Sequence, residues 1–495
     1  MKKIALTNIG SSTPGAKPIA LSILSAVLKK KGHDVVLFDS TYLDLGFLLD
    51  SEISDRLMMF KPVNWSEYSL VRDKSIDAKK LFIKFLEKEK PDLIAASAFS
   101  DMYLHTIDFL KLAKKKYNIP IIIGGIHSTL LPEEVIKEDC IDALCVGEGE
   151  IALLEYIEAL DGNRLTRTDI KNLWIKQNDN IYKNPVRKLM DLDSLPFMDY
   201  SIYDERQFLR PFEGKIIRSG DYQDKRGCPR KCTYCAYSII NKDIYSGGRV
   251  KYYSAERFIE EAKYLKETYN LEFFKLFAED IFLRPLDDFA KMSELWVKKV
   301  GLPFTTSGHP LSVTKEKSKL LKKMNCKSVS IALECGNPKY REKYLHRKYT
   351  NEQFGKSIEI LQDEGIRAVS LNMIGLPHED RKMIFKTIKV NRKYKPNFAD
   401  FGCFFPFRGI PLGDLAIKDG LAFTEEIKKS RSNHGKSIIH MSQIDVEEIN
   451  GIMKMHYFYL NYPKILWPLF RLCEKDGYIR NILYKSIRII NKILK

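Results

Sequence analysis

Short apolar strands alternate with amphipathic helices along most of this 495-residue chain, and this alternation limits the fold more than any other feature. Over the first ~150 residues the predicted strands are almost continuously apolar. They lie at residues 3–8, 35–38, 93–99, 121–124 and 143–146. Strands of this kind are buried on both faces by flanking helices. The pattern therefore predicts a doubly wound parallel sheet, in which ligands bind at the carboxyl ends of the strands.

A second alternating series begins near residue 213 and has longer helices. Its predicted strands lie at residues 216–218, 273–277, 303–307, 328–333, 367–374 and 398–405. Six βα units fall short of the eight that close a barrel. We therefore predict an α/β protein with four parts: a Rossmann-like sheet over residues 1–160, a polar hairpin and linker over 161–212, a partial (β/α)6 TIM-type barrel over 213–410, and a mostly helical region over 411–495.

The composition points to a globular protein of a reducing compartment. Nine cysteines, mostly scattered, do not suggest a disulfide framework and indicate the cytosol. The apolar run at the N-terminus is too short for a signal peptide, and no stretch reaches the ~18 apolar residues of a spanning helix. The net charge of +17 is spread along the chain, so it gives little support for a nucleic-acid partner. We expect a cytoplasmic location.

Three cysteines lie close together in the run Arg-Gly-Cys-Pro-Arg-Lys-Cys-Thr-Tyr-Cys, at Cys228, Cys232 and Cys235. Three thiolates at this spacing can hold three irons of a cubane iron–sulfur cluster, which normally takes four cysteines. The fourth iron is then open to substrate. A zinc knuckle is the alternative, but it needs a fourth ligand nearby, and His309 and Cys326 lie far outside knuckle spacing. The spacing favours a 4Fe-4S cluster.

The end of the chain predicts a basic amphipathic helix over residues 479–494. Its apolar positions fall near one stripe, and they are Ile479, Ile482, Leu483, Ile490 and Ile493. Lys485, Arg488 and Lys492 project elsewhere. Two interpretations stay open. The helix packs on the barrel or closes its mouth, or it attaches the protein to the inner face of a membrane.

The cysteine triplet, placed after a strand within repeated βα units, resembles the radical S-adenosylmethionine (radical SAM) superfamily. The N-terminal part resembles the cobalamin-binding domain that precedes the radical domain in one class of these enzymes. Three runs carry this second resemblance: Gly124-Gly-Ile-His-Ser-Thr-Leu-Leu-Pro-Glu-Glu, Val146-Gly-Glu-Gly-Glu and the linker Leu192-Asp-Ser-Leu-Pro-Phe. The resemblance covers about residues 1–410 and implies a 4Fe-4S cluster, SAM and cobalamin as cofactors.

The resemblance implies a cobalamin site at the strand ends of the first sheet. The residues expected there are Asn8, Gly10, Ser97, Gly124, Gly125, His127, Gly147 and Glu148. The glycines let the backbone approach a large flat ligand. The run D-x-H-x-x-G that supplies a cobalt ligand is absent, so we expect no protein histidine on cobalt. His127 is read as a signature residue near the nucleotide tail.

The resemblance also implies a SAM site at the strand ends of the barrel. Tyr234 would pack over the adenine, Glu334 would accept hydrogen bonds from the ribose, and Asn372 opens the adenine segment of the fifth strand. Glu279 or Asp280 would accept from the methionine ammonium, and the choice between them stays open. Arg347 could pair with the SAM carboxylate or be a surface charge. The run Phe405-Pro-Phe-Arg-Gly-Ile-Pro departs from the family pattern, so the substrate of relatives cannot be carried over.

The resemblance implies a cobalamin-dependent methyltransferase that uses a 5′-deoxyadenosyl radical to methylate an unactivated carbon of a small-molecule or lipid-like substrate. The electron would come from an external donor of the flavodoxin or ferredoxin type. A non-methylating rearrangement or cyclisation with the same cofactors is the alternative. A tRNA methylthiotransferase is disfavoured because such enzymes carry a second cysteine trio, whereas only Cys140 and Cys145 precede residue 228.

Overall fold

Two seven-stranded sheets and a C-terminal group of helices make up the protein. The computed structural model describes residues 1–10, 16–46, 63–68, 70, 72–162, 164–245, 250–430, 435–475 and 477–493. No helix within these ranges combines the length and the apolarity that crossing a bilayer requires.

The first sheet confirms the predicted doubly wound fold. Its strand order is β2-β1-β3-β4-β5-β8-β9, with β1 to β5 parallel and β8 antiparallel to β5. The polar hairpin of β8 and β9 therefore extends this sheet at its edge. The strands of this sheet are β1 (Lys3–Asn8), β2 (Asp34–Asp39), β3 (Leu93–Ser97), β4 (Ile121–Gly124), β5 (Ala143–Cys145), β8 (Leu173–Gln177) and β9 (Asn180–Lys183). The strands β6 (Leu160–Asp161) and β7 (Arg164–Leu165) form a separate two-stranded sheet.

Helices cover both faces of this sheet, which explains why its central strands are apolar throughout. Ile4, Leu6 and Ile94 are fully buried. Burial of apolar surface contributes about 25 cal/mol per Å² to stability. Burying both faces of the strands therefore favours a parallel sheet over a sheet with one face exposed to solvent. The helices are α1 (Ile19–Lys30), α2 (Ala78–Glu89), α3 (Tyr103–Tyr117), α4 (Ile126–Leu130), α5 (Pro132–Val135) and α6 (Glu150–Glu158).

The second sheet confirms the predicted partial barrel. Its order is β10-β11-β14-β15-β16-β17-β18, and the six strands from β11 onward are parallel. Among the described residues β18 pairs only with β17, so the barrel stays open. The antiparallel edge strand β10 was not predicted. The strands of this sheet are β10 (Leu209–Phe212), β11 (Lys215–Gln223), β14 (Phe273–Phe277), β15 (Phe304–Gly308), β16 (Cys326–Glu334), β17 (Arg367–Ile374) and β18 (Phe398–Cys403). The strands β12 (Lys225–Arg226) and β13 (Lys251–Tyr252) form a separate two-stranded sheet.

The barrel helices begin at residues that cap them. Ser254, Thr314 and Asp380 each accept a hydrogen bond from a backbone N–H of the first turn, and Thr350 forms a capping box with Gln353. The helices are α7 (Tyr237–Ile239), α8 (Ala255–Tyr269), α9 (Leu286–Lys299), α10 (Lys315–Lys323), α11 (Pro338–Leu345), α12 (Asn351–Asp363) and α13 (Arg381–Tyr394).

The C-terminal region is helical, as predicted, and packs beside the last barrel strands. Ile479 and Leu483 contact the apolar core there, whereas Ile482 is 49% exposed, so the predicted single stripe is split. The side chains of Ile490 and Ile493 lie outside the described residues. The helices are α14 (Pro411–Lys418), α15 (Thr424–Lys429), α16 (Val446–Asn461), α17 (Trp467–Lys475) and α18 (Gly477–Ile493).

Candidate functional site

The three clustered cysteines lie in a loop beyond the carboxyl end of β11. Cys228 and Cys232 are buried, Cys235 is half-buried, and all three thiols are free. The loop is fixed from two sides, because Thr233 N donates to Leu345 O (3.4 Å) and Leu412 N donates to Thr233 O (2.9 Å). A loop held in this way presents its thiols from defined positions.

No three His, Cys, Asp or Glu side chains in the described ranges converge on a single metal-ion position. A cubane cluster makes a different demand, because each cysteine binds a different iron.

A tyrosine hydroxyl joins a carboxylate and a guanidinium beside this loop. Tyr234 Oη donates to Glu334 Oε1 (2.6 Å) and accepts from Arg347 Nη1 (2.6 Å). Arg347 Nη1 lies 3.5 Å from Glu334 Oε1 and 4.0 Å from Cys232 Sγ. Burial raises the pKa of the Glu334 carboxyl, and Arg347 opposes that rise. Three of the residues predicted for SAM therefore lie together, and Arg347 is buried rather than a surface charge.

Asp280, at the end of the second barrel strand, is fully engaged in holding its own loop. Its Oδ2 accepts from Arg230 Nη2 (2.9 Å) and Ser312 Oγ (2.5 Å), and its Oδ1 accepts from Phe282 N (3.3 Å). The side chain is completely buried. Because Arg230 lies between Cys228 and Cys232, Asp280 ties the cysteine loop to the barrel.

Glu279, the neighbouring acid, keeps bonding capacity. Its carboxylate forms a side-chain hydrogen bond with Tyr237, and Lys225 Nζ lies 3.8 Å from Oε2. Oε2 is buried and has no hydrogen-bond partner among the described residues. Burial raises the pKa of this carboxyl, and Lys225 partly offsets the effect. Of the two acids, Glu279 is the one with an oxygen available to a ligand.

Asn372 is the register partner of Glu334 on the neighbouring strand, but its side chain does not join the predicted SAM residues. Its Oδ1 accepts from Asn391 Nδ2 (2.8 Å) on α13, and its Nδ2 donates to Asp400 O (2.9 Å). It is buried on the face of β17 that packs against the helices. The amide is thus engaged in joining the strand to a helix.

His309 is a site residue that the motifs did not single out. It follows β15 directly, is buried, and meets Tyr349 edge-on at 5.4 Å between ring centroids. Burial, together with Arg347 and Arg230, lowers its pKa to about 2, so the ring is neutral. The sequence signal was a His-Pro pair immediately after a predicted barrel strand, where functional residues collect.

A cavity of about 270 Å³ opens at the carboxyl ends of the first sheet. Its walls are mostly apolar and include Ile19, Leu24 and Ala95. Five of the eight residues predicted for cobalamin line it, and these are Ser97, Gly124, Gly125, Gly147 and Glu148.

Gly125 shows why glycine is needed in this wall. Its φ is +96°, and a Cβ there would lie 2.8 Å from Ala98 O and 2.9 Å from Ala98 N. The backbone of β3 and that of the turn after β4 can approach only when position 125 lacks a side chain.

The other three predicted cobalamin residues do not line the cavity. Asn8 Nδ2 donates to Asp39 Oδ2 (3.0 Å), and Gly10 N donates to Ser40 Oγ (2.6 Å). His127 stacks on Tyr103 at 4.0 Å between ring centroids. Burial lowers the pKa of His127 to about 4.

One arginine joins the cavity to the cysteine loop. Arg226 Nη1 donates to Glu148 Oε1 (2.7 Å) and its Nη2 donates to Glu150 Oε1 (2.5 Å). All three side chains line the cavity, and Arg226 precedes Cys228 by two residues. Glu148 N also donates to Tyr245 Oη (3.0 Å). The run Val146-Gly-Glu-Gly-Glu is therefore a turn that also contacts the segments on either side of the cysteine loop.

The residues present fit the three implied cofactors. Around the cysteine loop, Glu279 Oε2, Arg230 Nε and Arg347 Nε are buried without hydrogen-bond partners in the described part of the chain. Such groups complement a ligand that carries both an ammonium and a carboxylate, as SAM does. The glycine-lined apolar cavity suits a flat heteroaromatic tail.

Two family models match the chain in the places where these sites lie. The Radical SAM superfamily model matches residues 222–390, and the B12 binding domain model matches residues 69–157. The two matches assign a 4Fe-4S cluster, SAM and cobalamin to the chain.

Curated relatives span nearly the whole chain at low identity. An uncharacterized methyltransferase of Pyrococcus horikoshii is 26% identical over 478 residues, covering 95% of this chain and 92% of its own. The anaerobic magnesium-protoporphyrin IX monomethyl ester cyclase of Rubrivivax gelatinosus is 22% identical over 404 residues, covering 80% of this chain and 70% of its own.

A solved structure shares the fold. The radical S-adenosylmethionine methyltransferase TsrM from Kitasatospora setae, with cobalamin and a 4Fe-4S cluster bound, superposes with a TM-score of 0.64 at 14% identity. The match covers 85% of this chain and 79% of TsrM.

Proposed function

Because the chain is a radical SAM enzyme with a B12-binding domain, we propose that it transfers a methyl group from SAM to an unactivated carbon of its substrate. The observation that carries this proposal is the Arg226 contact, through which the cobalamin cavity and the cysteine loop share a wall. A methyl carrier and a radical generator must act on one substrate, so their sites must adjoin. When bound, the cluster would supply the electron that cleaves SAM and cobalamin would carry the methyl group.

We propose that the parts of the chain divide this work. Residues 1–160 would hold cobalamin, with its tail in the cavity walled by Ser97, Gly125 and Gly147. Residues 213–410 would hold the cluster on Cys228, Cys232 and Cys235, together with SAM.

Within the SAM site, Glu279 would accept from the methionine ammonium, since its Oε2 lacks a partner among the described residues. Arg347 would face the SAM carboxylate through its Nε, which has no hydrogen-bond partner in the described part of the chain. Tyr234 would set the position of both Arg347 and Glu334.

The substrate is proposed to be a small molecule, and the electron donor a flavodoxin or ferredoxin. TsrM has been solved with tryptophan substrate and a SAM analog bound, which supports a small substrate in a fold of this kind. The lumen of the open barrel is reached by solvent, because its lining residues on β15 to β18 are half-buried.

The test is anaerobic turnover with SAM carrying a ¹³C methyl group, a chemical reductant and small-molecule extract of the source cells. We expect a product whose mass rises by one labelled methyl group, together with 5′-deoxyadenosine. Formation of 5′-deoxyadenosine without labelled product would contradict methyl transfer. The matched control is Cys232→Ala, which should give neither product.

A second candidate is a radical cyclisation or rearrangement without methyl transfer. It is favoured by the cyclase of Rubrivivax gelatinosus, whose similarity covers 80% of this chain. The same labelling experiment separates the two functions, since a cyclase would change the substrate mass without incorporating the label.

We also propose that residues 464–485 attach the protein to an anionic membrane surface. Six apolar side chains there face solvent, namely Ile465 (85% exposed), Leu466 (38%), Leu469 (41%), Leu472 (53%), Tyr478 (76%) and Ile482 (49%). On α17, Leu469 and Leu472 are exposed, whereas Phe470 and Cys473 are buried. Exposed cations beside them are Lys464, Arg471, Lys475 and Lys485. Apolar insertion with surrounding cations suits anionic lipid.

Cosedimentation with vesicles tests this attachment. The protein should bind vesicles of equal phosphatidylglycerol and phosphatidylcholine, and bind pure phosphatidylcholine at least about tenfold less, because several cations each contribute about 1 kcal/mol. Leu469→Glu should abolish binding, whereas Leu286→Glu, at an exposed barrel position, should not. Equal binding by both variants would contradict the proposal.

A further inference from the structure

The lumen of the barrel is lined by side chains that the cofactor sites do not use. On β17 the helix-facing residues Ala368 and Ser370 are buried, whereas the lumen-facing residues Val369, Leu371 and Met373 are half-buried. The same alternation holds on β14, where Phe274 and Leu276 pack against the helices. Side chains on the lumen face are therefore accessible to a ligand.

A lysine lies on the lumen face of β14. Lys275 is flanked by the buried Phe274 and Leu276, so it shares its face with Phe277, which is 44% exposed. It precedes Glu279 by four residues, and about 3.3 Å per residue places it about 13 Å or less below that carboxylate along the strand. Lys275 thus lies one layer beneath the strand ends that carry the SAM site.

The ammonium of Lys275 forms no hydrogen bond and no ion pair with any described residue. Asp221 is its register partner on β11, but Asp221 is already paired with Arg210 Nη2 (2.9 Å) and Lys17 N (2.7 Å). Burial lowers the pKa of Lys275, Arg210 lowers it further, and Asp221 and Asp400 oppose these effects. Binding an anion lowers the free energy of a cation that is held in this way without a paired charge.

The ammonium of Lys275 lies 5.7 Å from the ring centroid of Phe277 and has no anionic partner among the described residues, which distinguishes it from the other lumen charges. Arg210 faces Asp221 directly, and the lumen positions of β15 and β16 carry Thr305, Ser307 and Ser330, which are neutral. An anion that enters the lumen can therefore reach Lys275 without passing a closer competing cation on these two strands.

We propose that Lys275 is an anion-binding residue of the substrate site, which binds a carboxylate or phosphate group of the substrate inside the barrel. This inference rests on the proposed function in one respect, namely that the bound anion belongs to the substrate. The anion would be held beneath the SAM site, so that the reacting carbon faces the mouth. Substrates without an anionic group would lose this anchor.

Lysine footprinting tests the proposal without requiring turnover. The reconstituted holoenzyme, kept oxidised, is treated with an amine-acylating reagent with and without saturating SAM, and labelling of Lys275 is followed by mass spectrometry. Inorganic pyrophosphate and succinate serve as probes, with sodium chloride at matched ionic strength. We expect acylation of Lys275 to slow by about fivefold when a probe reaches about four times its Kd. The exposed Lys319 is the internal control and should not change.

Three outcomes decide the matter. Protection by either probe but not by chloride supports the proposal, and the more effective probe distinguishes phosphate from carboxylate. Protection by SAM alone would overturn it, because the amine would then serve the cofactor. Equal labelling of Lys275 with probe and with chloride, or no labelling at all, would also overturn it.

Turnover with variants adds an independent readout. With an anionic substrate identified, Lys275→Met should raise KM at least about tenfold, the equivalent of about 1.4 kcal/mol, and Lys275→Arg should restore most of it. Unchanged KM in Lys275→Met would contradict the inference while leaving methyl transfer intact. If the parent enzyme transfers no methyl group, the proposed function is contradicted, but the footprinting result for Lys275 remains valid.

Discussion

Single hydroxyl and carboxyl groups determine how the SAM site is arranged. Tyr234 bridges Glu334 and Arg347, and without its hydroxyl both charged groups would stay buried with one partner fewer. Asp280 and Glu279 are adjacent acids with different roles, because Arg230 and Ser312 occupy the first while the second retains an open oxygen. The environment, rather than residue type, separates them.

Tyr234→Phe should destabilise the protein by about 1–3 kcal/mol, since a buried carboxylate and a buried guanidinium each lose a hydrogen bond. Urea unfolding of the cluster-free protein measures this change. Tyr182→Phe, on the exposed hairpin, is the matched control and should shift the free energy of unfolding by less than about 0.5 kcal/mol. An equal effect of the two variants would show that the bridge adds nothing.

Glu279→Gln should weaken SAM binding by about tenfold and leave the melting temperature nearly unchanged, because it removes one charge-assisted contact worth about 1.4 kcal/mol. Asp280→Asn should lower the melting temperature, because Arg230 loses its ion pair. Equilibrium dialysis with labelled SAM, alongside thermal unfolding, measures both. A reversed pattern would assign the ligand oxygen to Asp280.

At the scale of elements, strand ends and turns bring together residues that are distant in sequence. The turn Val146-Gly-Glu-Gly-Glu after β5 accepts hydrogen bonds from Arg226 next to the cysteine loop. The turn after β17 is closed differently, because Glu379 Oε2 accepts from Gly375 N (2.8 Å) and Leu376 N (3.2 Å). Both turns fix loops at the mouth of the barrel.

Arg226→Met should weaken cobalamin binding by at least about tenfold, because Glu148 and Glu150 would be left without their cation in the cavity wall. Removing one partner of a buried pair costs about 3–5 kcal/mol, so stability should fall as well. Corrinoid titration followed by absorbance measures the affinity. Arg167→Met, whose partner Glu155 lies on the surface side of α6, is the control and should bind cobalamin normally. Normal binding by Arg226→Met would rule out the shared wall.

Glu379 should make stability depend on pH. Burial raises the pKa of its carboxyl from 4.5 to about 8, so the folded state binds a proton that the unfolded state has released across that window. Its contribution to stability is therefore complete below pH 4.5 and is lost as pH rises toward 8. Relative to the parent, Glu379→Gln should gain up to about 1.4 kcal/mol per pH unit between pH 5 and 8. Denaturation at several pH values checks this, and a pH-independent difference would contradict it.

At the scale of the whole molecule, the fold was predictable and part of the site was not. The strands could be located because their apolar runs are buried on both faces, as in Ile121–Gly124, and the cysteine spacing marked the cluster loop. The face of a strand on which a residue lies is harder to read. Asn372 lies on the same face of β17 as Ala368 and Ser370, and only the folded chain shows that this face packs against a helix.

Contacts between residues that are distant in the sequence were also not predictable from it. Arg226 is one arginine among many, and only the folded chain shows that it meets Glu148 and Glu150 across about 76 intervening positions. The engagement of Asp280 by Arg230 is of the same kind. Long-range ion pairs depend on how the two halves pack, whereas strand periodicity depends only on neighbours in the chain.

The central claim is that the trio Cys228, Cys232 and Cys235 holds a cluster that cleaves SAM beside a bound corrinoid. Anaerobic reconstitution followed by metal analysis, corrinoid absorbance and detection of 5′-deoxyadenosine tests it most directly. The account predicts about four iron atoms and one corrinoid per chain with SAM cleavage. Cys232→Ala should lose iron and cleavage but keep the corrinoid, and Cys326→Ala should behave as the parent. A single zinc in place of iron, or iron that never cleaves SAM, would contradict the account.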